Sequence, residues 1–258
     1  MMRRHITFEC EGDQLAGTLD YVDGPTGLLI VSGGNEVRSG AFGGQSRLAR
    51  RIRDEGFPVF RFDRRGVGDS EGENLGYRQS GPDIAAALAT FREKCPKLSR
   101  IVAFGNCDAA SALALNQGAG CDALILSNPW TLDDDGDDPL PSGDAIRSRY
   151  MHKLRDPKEI GRLLSGKVSA GKLFKGLAKA FRTDTHRGEE HEVHRAIAGL
   201  HIPATILIAG RDRTGLAFEA EWKGDRQQLL TCDAASHAYV EPQARKWLEE
   251  RILSVLRN

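Results

Sequence analysis

The residues with the clearest chemical potential in this 258-residue chain surround Cys107. The segment Gly105-Asn106-Cys107-Asp108-Ala109 lies between a continuous apolar run and an alanine-rich run, which predicts a tight strand-to-helix turn with Cys107 at its apex. Small residues are needed on both sides because bulky ones would clash with neighbouring elements. A cysteine at a helix N-terminus faces unpaired N–H groups that favour its thiolate. We therefore predict that Cys107 is a nucleophile, the alternative being a buried structural cysteine.

A candidate acid and a candidate base follow Cys107 in the chain. Asp212 comes directly after the apolar run 204–210, and His237 follows the run 227–233. An isolated loop Asp or His is more often a surface residue, but all three candidates lie just beyond predicted strands, at one edge of the sheet. We predict a triad in which Asp212 orients His237, and His237 takes the Cys107 proton and later activates water.

The elements that must position this triad alternate along the chain. Apolar runs that do not alternate in polarity are typical of parallel strands covered on both faces. This pattern predicts an α/β fold with a doubly wound, mostly parallel sheet of about eight strands and an antiparallel hairpin at one edge. The predicted strands are 6–10, 16–21, 27–32, 58–63, 100–106, 123–128, 204–210 and 227–233. The predicted helices are 45–55, 82–94, 108–117, 215–222 and 242–256.

One stretch, 129–203, breaks this rhythm, and we predict that it is a helical lid inserted into a core of 1–128 and 204–258. An acidic run at 133–138 is interpreted as a loop, because it does not have the spacing of a calcium site. From 144 to 182 there are eleven Lys and Arg against three acids. This charge could steer an anionic substrate, contact anionic lipid or an acidic partner, or simply be solvated.

Composition excludes several other classes of protein. With 36 basic and 36 acidic residues the net charge is zero, so we expect no nucleic-acid partner. Apolar runs of about five residues are too short for a transmembrane segment, and acids at 9–13 interrupt any signal peptide, which predicts a cytoplasmic protein. The other cysteines have no base or partner motif and are predicted to be structural: Cys10, Cys95, Cys121 and Cys232. We expect no cofactor and no metal, since His186, His191 and His194 match no zinc motif.

Taken together, these segments resemble the α/β-hydrolases. In that family an oxyanion loop occupies the place of Ser32-Gly33-Gly34-Asn35, with Ser32 where a His is usual, and a D-x-R-G-x-G-x-S turn matches 63–70. The resemblance implies an oxyanion hole formed by the N–H of Asp108 with that of Gly34 or Asn35. Dienelactone-hydrolase-like members also use Cys, Asp and His.

A narrower resemblance is to the exosortase A system-associated hydrolases of type 1, bacterial proteins encoded near exopolysaccharide machinery. It rests on S-G-G-N-E at 32–36, F-D-R-R-G-V-G-D-S at 62–70 and G-N-C-D-A-A at 105–110. Ser32, Asn128 and Trp130 are candidates for lining the substrate pocket, with core packing as the alternative for the last two.

The predicted function is hydrolysis of an ester or thioester through an acyl-Cys107 intermediate. The expected partner is a small-molecule acyl substrate, which could be anionic or carrier-linked. Two alternatives stay open. One is an acyltransferase with the same acyl-cysteine chemistry, and the other is a non-catalytic ligand sensor or scaffold.

Overall fold

The structure is a computed structural model that describes residues 2–131 and 187–258. Eight strands occur in this part of the chain: β1 (Met2–Cys10), β2 (Asp13–Tyr21), β3 (Thr26–Val31), β4 (Val59–Phe62), β5 (Arg100–Asn106), β6 (Ala123–Ser127), β7 (Ala204–Ala209) and β8 (Leu229–Cys232). The helices described there are α1 (Gly44–Asp54), α2 (Gly81–Lys94), α3 (Asp108–Leu115), α4 (Arg187–Ala198), α5 (Arg213–Glu221) and α6 (Pro242–Arg257).

The eight strands form one sheet in the order β1-β2-β4-β3-β5-β6-β7-β8. β1 and β2 form an antiparallel hairpin at one edge, and β2 also pairs with β4 in antiparallel fashion. The pairs from β4 through β3, β5, β6 and β7 to β8 are parallel. This arrangement confirms the predicted mostly parallel sheet with its edge hairpin.

Both faces of the sheet are buried, which explains the uninterrupted apolar runs. Successive side chains of a strand point to opposite faces. In β3, Leu29 and Val31 pack with α2 to α5, whereas Leu28 and Ile30 pack with α1 and α6. All four side chains are fully buried. Because the parallel strands end at the same edge, the loops after β3, β5, β7 and β8 meet there.

Helix α4 belongs to the packed core, although the sequence analysis places it within the insertion. Val193 and Ile197 are nearly fully buried in the cluster that includes the α3 side chains. The Nε2 atom of His194 lies 3.3 Å from the carbonyl oxygen of Phe218, and the two rings stack at 4.5 Å. The acidic run and the basic stretch of the predicted lid fall within 132–186, outside the described residues.

Several large apolar side chains are exposed near the carboxyl edge of the sheet. Phe42 is 83% exposed and Val240 is 42% exposed, and both border the cavity described below. Among the described residues, no helix has the length and apolar character needed to cross a membrane.

Candidate active site

Cys107 lies at the apex of the turn between β5 and α3. Its backbone has φ 63° and ψ −130°, a conformation that costs energy for a residue other than glycine. The Cys107 N–H donates to the Ser127 carbonyl at 2.9 Å, which fixes the turn against β6. A Cβ atom on Gly105 would lie 2.7 Å from the Ala109 carbonyl carbon, so the position requires glycine. The turn therefore has the strained, closely packed geometry that the small flanking residues predict.

Asp212 and His237 approach Cys107 from two other loops of the same edge. The Asp212 Oδ2 atom lies 3.0 Å from Nδ1 of His237. The same carboxylate oxygen accepts the Gly215 N–H at 3.0 Å and so caps helix α5. His237 also shares a side-chain hydrogen bond with Cys107. The structure thus brings the three predicted residues together in the order acid, imidazole and thiol.

The environment of His237 favours its protonated form. The hydrogen bond with Asp212, followed by that with Cys107, raises the pKa of His237 to about 10, although partial burial of the ring acts in the opposite direction. Asp212 is almost fully buried, so the attraction is weakly screened on its side. His237 is therefore an imidazolium at neutral pH and can donate a proton.

A chain of amide hydrogen bonds ties the His237 loop to the sheet. The Asn106 Nδ2 group donates to the His237 carbonyl at 3.1 Å, and Asn128 Nδ2 donates to Asn106 Oδ1 at 2.9 Å. The Ala209 N–H in turn donates to Asn128 Oδ1 at 2.8 Å. Asn128 is fully buried and has φ 43°, a conformation that Asn tolerates better than most residues. This chain connects the ends of β5, β6 and β7 to the loop that holds the imidazole.

The three predicted pocket residues do not line the cavity next to Cys107 in the described part of the chain. Both the carbonyl oxygen and the amino group of the Asn128 side chain are engaged inside the protein. Ser32 is 1% exposed and hydrogen-bonds with Gln45. Trp130 packs against the apolar core on the α3 side. Ser32 and Asn128 have no side-chain surface toward this cavity, because both are buried and hydrogen-bonded inside the protein. Trp130 is partly exposed, and its assignment to the substrate pocket stays a prediction.

The predicted oxyanion donors differ in availability. The Asp108 N–H belongs to the first turn of α3, where helical N–H groups lack intrahelical acceptors. The Gly34 N–H already donates to the Asp108 Oδ1 atom at 2.6 Å. The Asn35 N–H has no acceptor among the described residues, and Asn35 lines the cavity. Of the two alternatives for the second donor, the Asn35 N–H is the one that is not already engaged within the described residues.

Arg64 connects the oxyanion loop to the turn that carries Cys107. Its guanidinium donates to the Gly34 carbonyl at 2.7 Å and to Asp108 Oδ2 at 3.1 Å. A third bond, at 2.9 Å, reaches the Ser80 hydroxyl. The side chain is 2% exposed, so these bonds are shielded from water. The sequence analysis missed this role, because the turn motif at 63–70 shows an arginine but not its distant partners.

A cavity of about 660 Å³ opens beside Cys107 and His237, which both line it. It extends between α1 and α6, and its walls include Leu48, Leu248 and Phe104. The volume lies within the range of small-molecule sites. The site thus combines a nucleophile, a proton donor and a largely apolar cavity.

The other cysteines have different environments. Burial raises the pKa of the Cys10 thiol and of the Cys95 thiol to about 11, and that of Cys121 to about 12. These thiols stay protonated and unreactive at neutral pH. Cys232 is half-buried and unpaired. Within residues 2–131 and 187–258, no group of three or more His, Cys, Asp or Glu residues is arranged to hold a metal ion.

Several solved structures of other proteins are similar to this chain. The solved structures similar to this chain include an esterase from Pyrococcus furiosus, at 16% identity and TM-score 0.64 over 99% of this chain and 90% of that chain. Est1E from Butyrivibrio proteoclasticus, solved with ferulic acid, has 15% identity and TM-score 0.60 over 98% of this chain and 100% of that chain. The thioesterase domain of the curacin biosynthetic pathway has 13% identity and TM-score 0.58, with the same two coverages.

Similarity at these identities establishes the fold alone. The curated proteins include no sequence match to this chain. A family match is nevertheless present, and it extends over residues 28–251, most of the sequence. The chain therefore belongs to the alpha/beta hydrolase family.

Proposed function

We propose that this protein hydrolyses an ester or thioester through a covalent acyl-Cys107 intermediate. The observation that carries the proposal is the connected set of Asp212, His237 and Cys107 beside a cavity of small-molecule size. Membership of the alpha/beta hydrolase family supports a hydrolytic reaction. The esterase and thioesterase names of similar structures support this class of bond.

In the first half of the reaction, Cys107 first gives its thiol proton to His237, and the resulting thiolate attacks the substrate carbonyl carbon, so that the carbonyl oxygen becomes negative. The N–H groups of Asp108 and Asn35 stabilise that oxygen. When the intermediate collapses, the His237 imidazolium gives its proton to the departing alkoxide or thiolate. The products of this half are the free alcohol or thiol and an acyl thioester on Cys107.

In the second half, water replaces the leaving group. Neutral His237 removes a proton from water, and the resulting hydroxide attacks the acyl thioester. Collapse of this second intermediate breaks the carbon–sulfur bond, releases the carboxylic acid and regenerates the Cys107–His237 pair. A cysteine thiolate leaves a tetrahedral carbon more readily than an amine does, which favours activated esters and thioesters over amides as substrates.

The sequence motifs also support a narrower family and a division of the chain into a core and a cap. We propose that the chain is a bacterial, cytoplasmic member of the exosortase A system-associated hydrolases, on the motifs at 32–36, 62–70 and 105–110. We also propose a core interrupted by a cap, with helix α4 on the core side because Val193 and Ile197 are buried there. The small-molecule acyl substrate would bind in the cavity beside Cys107 and His237.

The test is hydrolysis of p-nitrophenyl octanoate and octanoyl-coenzyme A by the wild type and by Cys107→Ala. Cys232→Ala is the matched control, because Cys232 is also a half-buried free cysteine but does not line the cavity. We expect turnover by the wild type and the control and a loss of at least about 100-fold in Cys107→Ala. Equal turnover by all three proteins would contradict the proposal.

Two further readouts separate the alternatives. An acyltransferase would form a new ester or amide when alcohols or amines are added, at the expense of free octanoate. A non-catalytic sensor would bind octanoate without hydrolysing either substrate. We expect free octanoate as the main product even in the presence of these acceptors.

A further inference from the structure

The facing sides of α1 and α6 carry an uneven pattern of charge. Arg51 of α1 pairs with Glu249 of α6 at 2.8 Å. One helical turn nearer the carboxyl edge of the sheet, the corresponding residues are Arg47 and Arg245. Two positive charges therefore occupy the position where an ion pair would continue the pattern.

Arg47 and Arg245 have no side-chain hydrogen bond or ion pair with any described residue. Both line the cavity that contains Cys107 and His237. The Arg47 Nη1 atom lies 3.4 Å from the point where a Gly43 side chain would begin, so the guanidinium folds over the α1 N-terminus. Arg245 is half-buried, which limits the water available to screen its charge.

The charged groups of the described cavity wall do not balance. Apart from His237, whose positive charge is paired with the Asp212 carboxylate, three arginines, Arg47, Arg51 and Arg245, face two glutamates, Glu36 and Glu249. Glu249 is paired with Arg51, and Glu36 accepts the Ala41 N–H and the Gln45 side-chain amide, both at 2.6 Å. One positive charge is therefore left over. An arginine fork matches a carboxylate in shape, and the N-terminal ends of α1 and α6 add favourable potential for an anion.

We propose that Arg47 and Arg245 bind a carboxylate at the far end of the substrate's acyl chain. This inference rests on the proposed function, and it narrows the substrate class to acyl groups that end in a negative charge. The single excess positive charge fits one carboxylate. The apolar walls at Leu48, Leu248 and Phe104 would hold the carbon chain between the carboxylate and the reacting carbonyl.

The test compares two esters of equal length, the p-nitrophenyl hemiester of suberic acid and p-nitrophenyl octanoate. In the wild type at low salt, we expect kcat/KM to be at least about tenfold higher for the hemiester. In Arg47→Gln/Arg245→Gln we expect this preference, measured as the ratio of the two kcat/KM values, to disappear. The preference should also fall as salt rises.

The matched control is Arg50→Gln/Lys246→Gln. It removes the same charge from the same two helices, but neither residue lines the cavity, and each forms only a 3.9 Å ion pair with a neighbour on its own helix. The control should keep the full preference for the hemiester. Equal loss in both double variants would mean a general charge effect and would overturn the site.

Failure of this inference is distinguishable from failure of the proposed function. If octanoate is hydrolysed in a Cys107-dependent manner but the hemiester is no better, the carboxylate site is wrong and the proposed function stands. If neither ester is hydrolysed, the carboxylate site is tested by measuring the binding of a ligand with a free carboxylate. We expect monomethyl suberate to bind Cys107→Ala about tenfold more tightly than Cys107→Ala/Arg47→Gln/Arg245→Gln by calorimetry. Equal affinity, or no binding to either variant, would overturn the carboxylate site.

Discussion

Replacement of Asp212 by Asn should lower the pKa of His237 without disturbing the fold. The Asp212 carboxylate is the main cause of the raised pKa of His237. Asn keeps an oxygen that can accept the Gly215 N–H, and Asn is as good a helix cap as Asp. The substitution therefore removes a charge next to the imidazole while the start of α5 stays capped.

The size of the change follows from the geometry of the pair. Nδ1 of His237 and Oδ2 of Asp212 are 3.0 Å apart. Two unit charges about 4 Å apart attract by about 4 kcal/mol at an effective dielectric constant of about 20. Because the His237 side chain is 42% exposed, we halve this value to about 2 kcal/mol. At 1.36 kcal/mol per pH unit, the pKa of His237 should fall by about 1.5 pH units.

The assay is an NMR titration of the His237 ring protons from pH 6 to pH 11 in both proteins. We expect wild-type His237 to lose its proton near pH 10. In Asp212→Asn the transition should move to lower pH, and the alkaline limb of kcat/KM for octanoyl-coenzyme A should move with it because the departing thiolate takes its proton from the imidazolium. Asp233→Asn, at an exposed carboxylate after β8, is the control and should leave the transition in place.

Two results would refute this reasoning. One is a wild-type His237 that titrates near the ordinary value of about 6.5. The other is a transition that stays in place in Asp212→Asn while the protein remains folded, since the carboxylate would then not be what stabilises the imidazolium.

Three further substitutions test the framework of the site by urea unfolding. Gly105→Ala should cost about 1–3 kcal/mol, because its Cβ would press on the backbone of Ala109 and overpack the turn. Asn128→Ala should cost about 1–3 kcal/mol, because a buried backbone N–H loses its acceptor. Arg64→Ala should cost about 3–5 kcal/mol, because it leaves the largely buried Asp108 carboxylate unpaired.

Each of these substitutions has a control at a less constrained site. Gly44→Ala places its Cβ in open space at a helical φ of −61°, so it should be neutral or slightly stabilising. Asn258→Ala removes an exposed asparagine, and Arg50→Ala removes an exposed arginine whose ion pair is 3.9 Å long. If the control substitutions lowered the free energy of unfolding as much as the substitutions of Gly105, Asn128 and Arg64, the stabilising role assigned to these buried contacts would be wrong.

Much of the fold could be predicted from the sequence because its signals are local. The apolar runs at 28–31, 101–104 and 205–208 mark strands that are covered on both faces, and the structure has parallel strands at each. The hairpin at the start of the chain follows from two runs with no room for a helix between them. The turn at 105–109 could be recognised in the sequence because it requires small residues at positions that lie close together in the chain, on either side of Cys107.

The features that were missed depend on contacts between distant segments. Ser32 and Asn128 follow strands just as Asp212 does. Their side chains, however, are buried and hydrogen-bonded to other parts of the protein instead of to the catalytic imidazole. The bond from the Gly34 amide to Asp108 spans 74 residues, and that from Arg64 to Asp108 spans 44. The pairing of α1 with α6 around a cavity likewise exists only after folding. A single sequence indicates which residues could react, but not which hydrogen bonds are already made.

The most direct test of the central claim is to trap the acyl group on the protein. The wild type is mixed with p-nitrophenyl octanoate, quenched in acid within the first turnover, digested and analysed by peptide mass spectrometry. We predict an octanoyl group on the peptide that contains Cys107, and on no other cysteine peptide. Hydrolysis that proceeds without any acyl group on Cys107, or equally well in Cys107→Ala, would contradict the account.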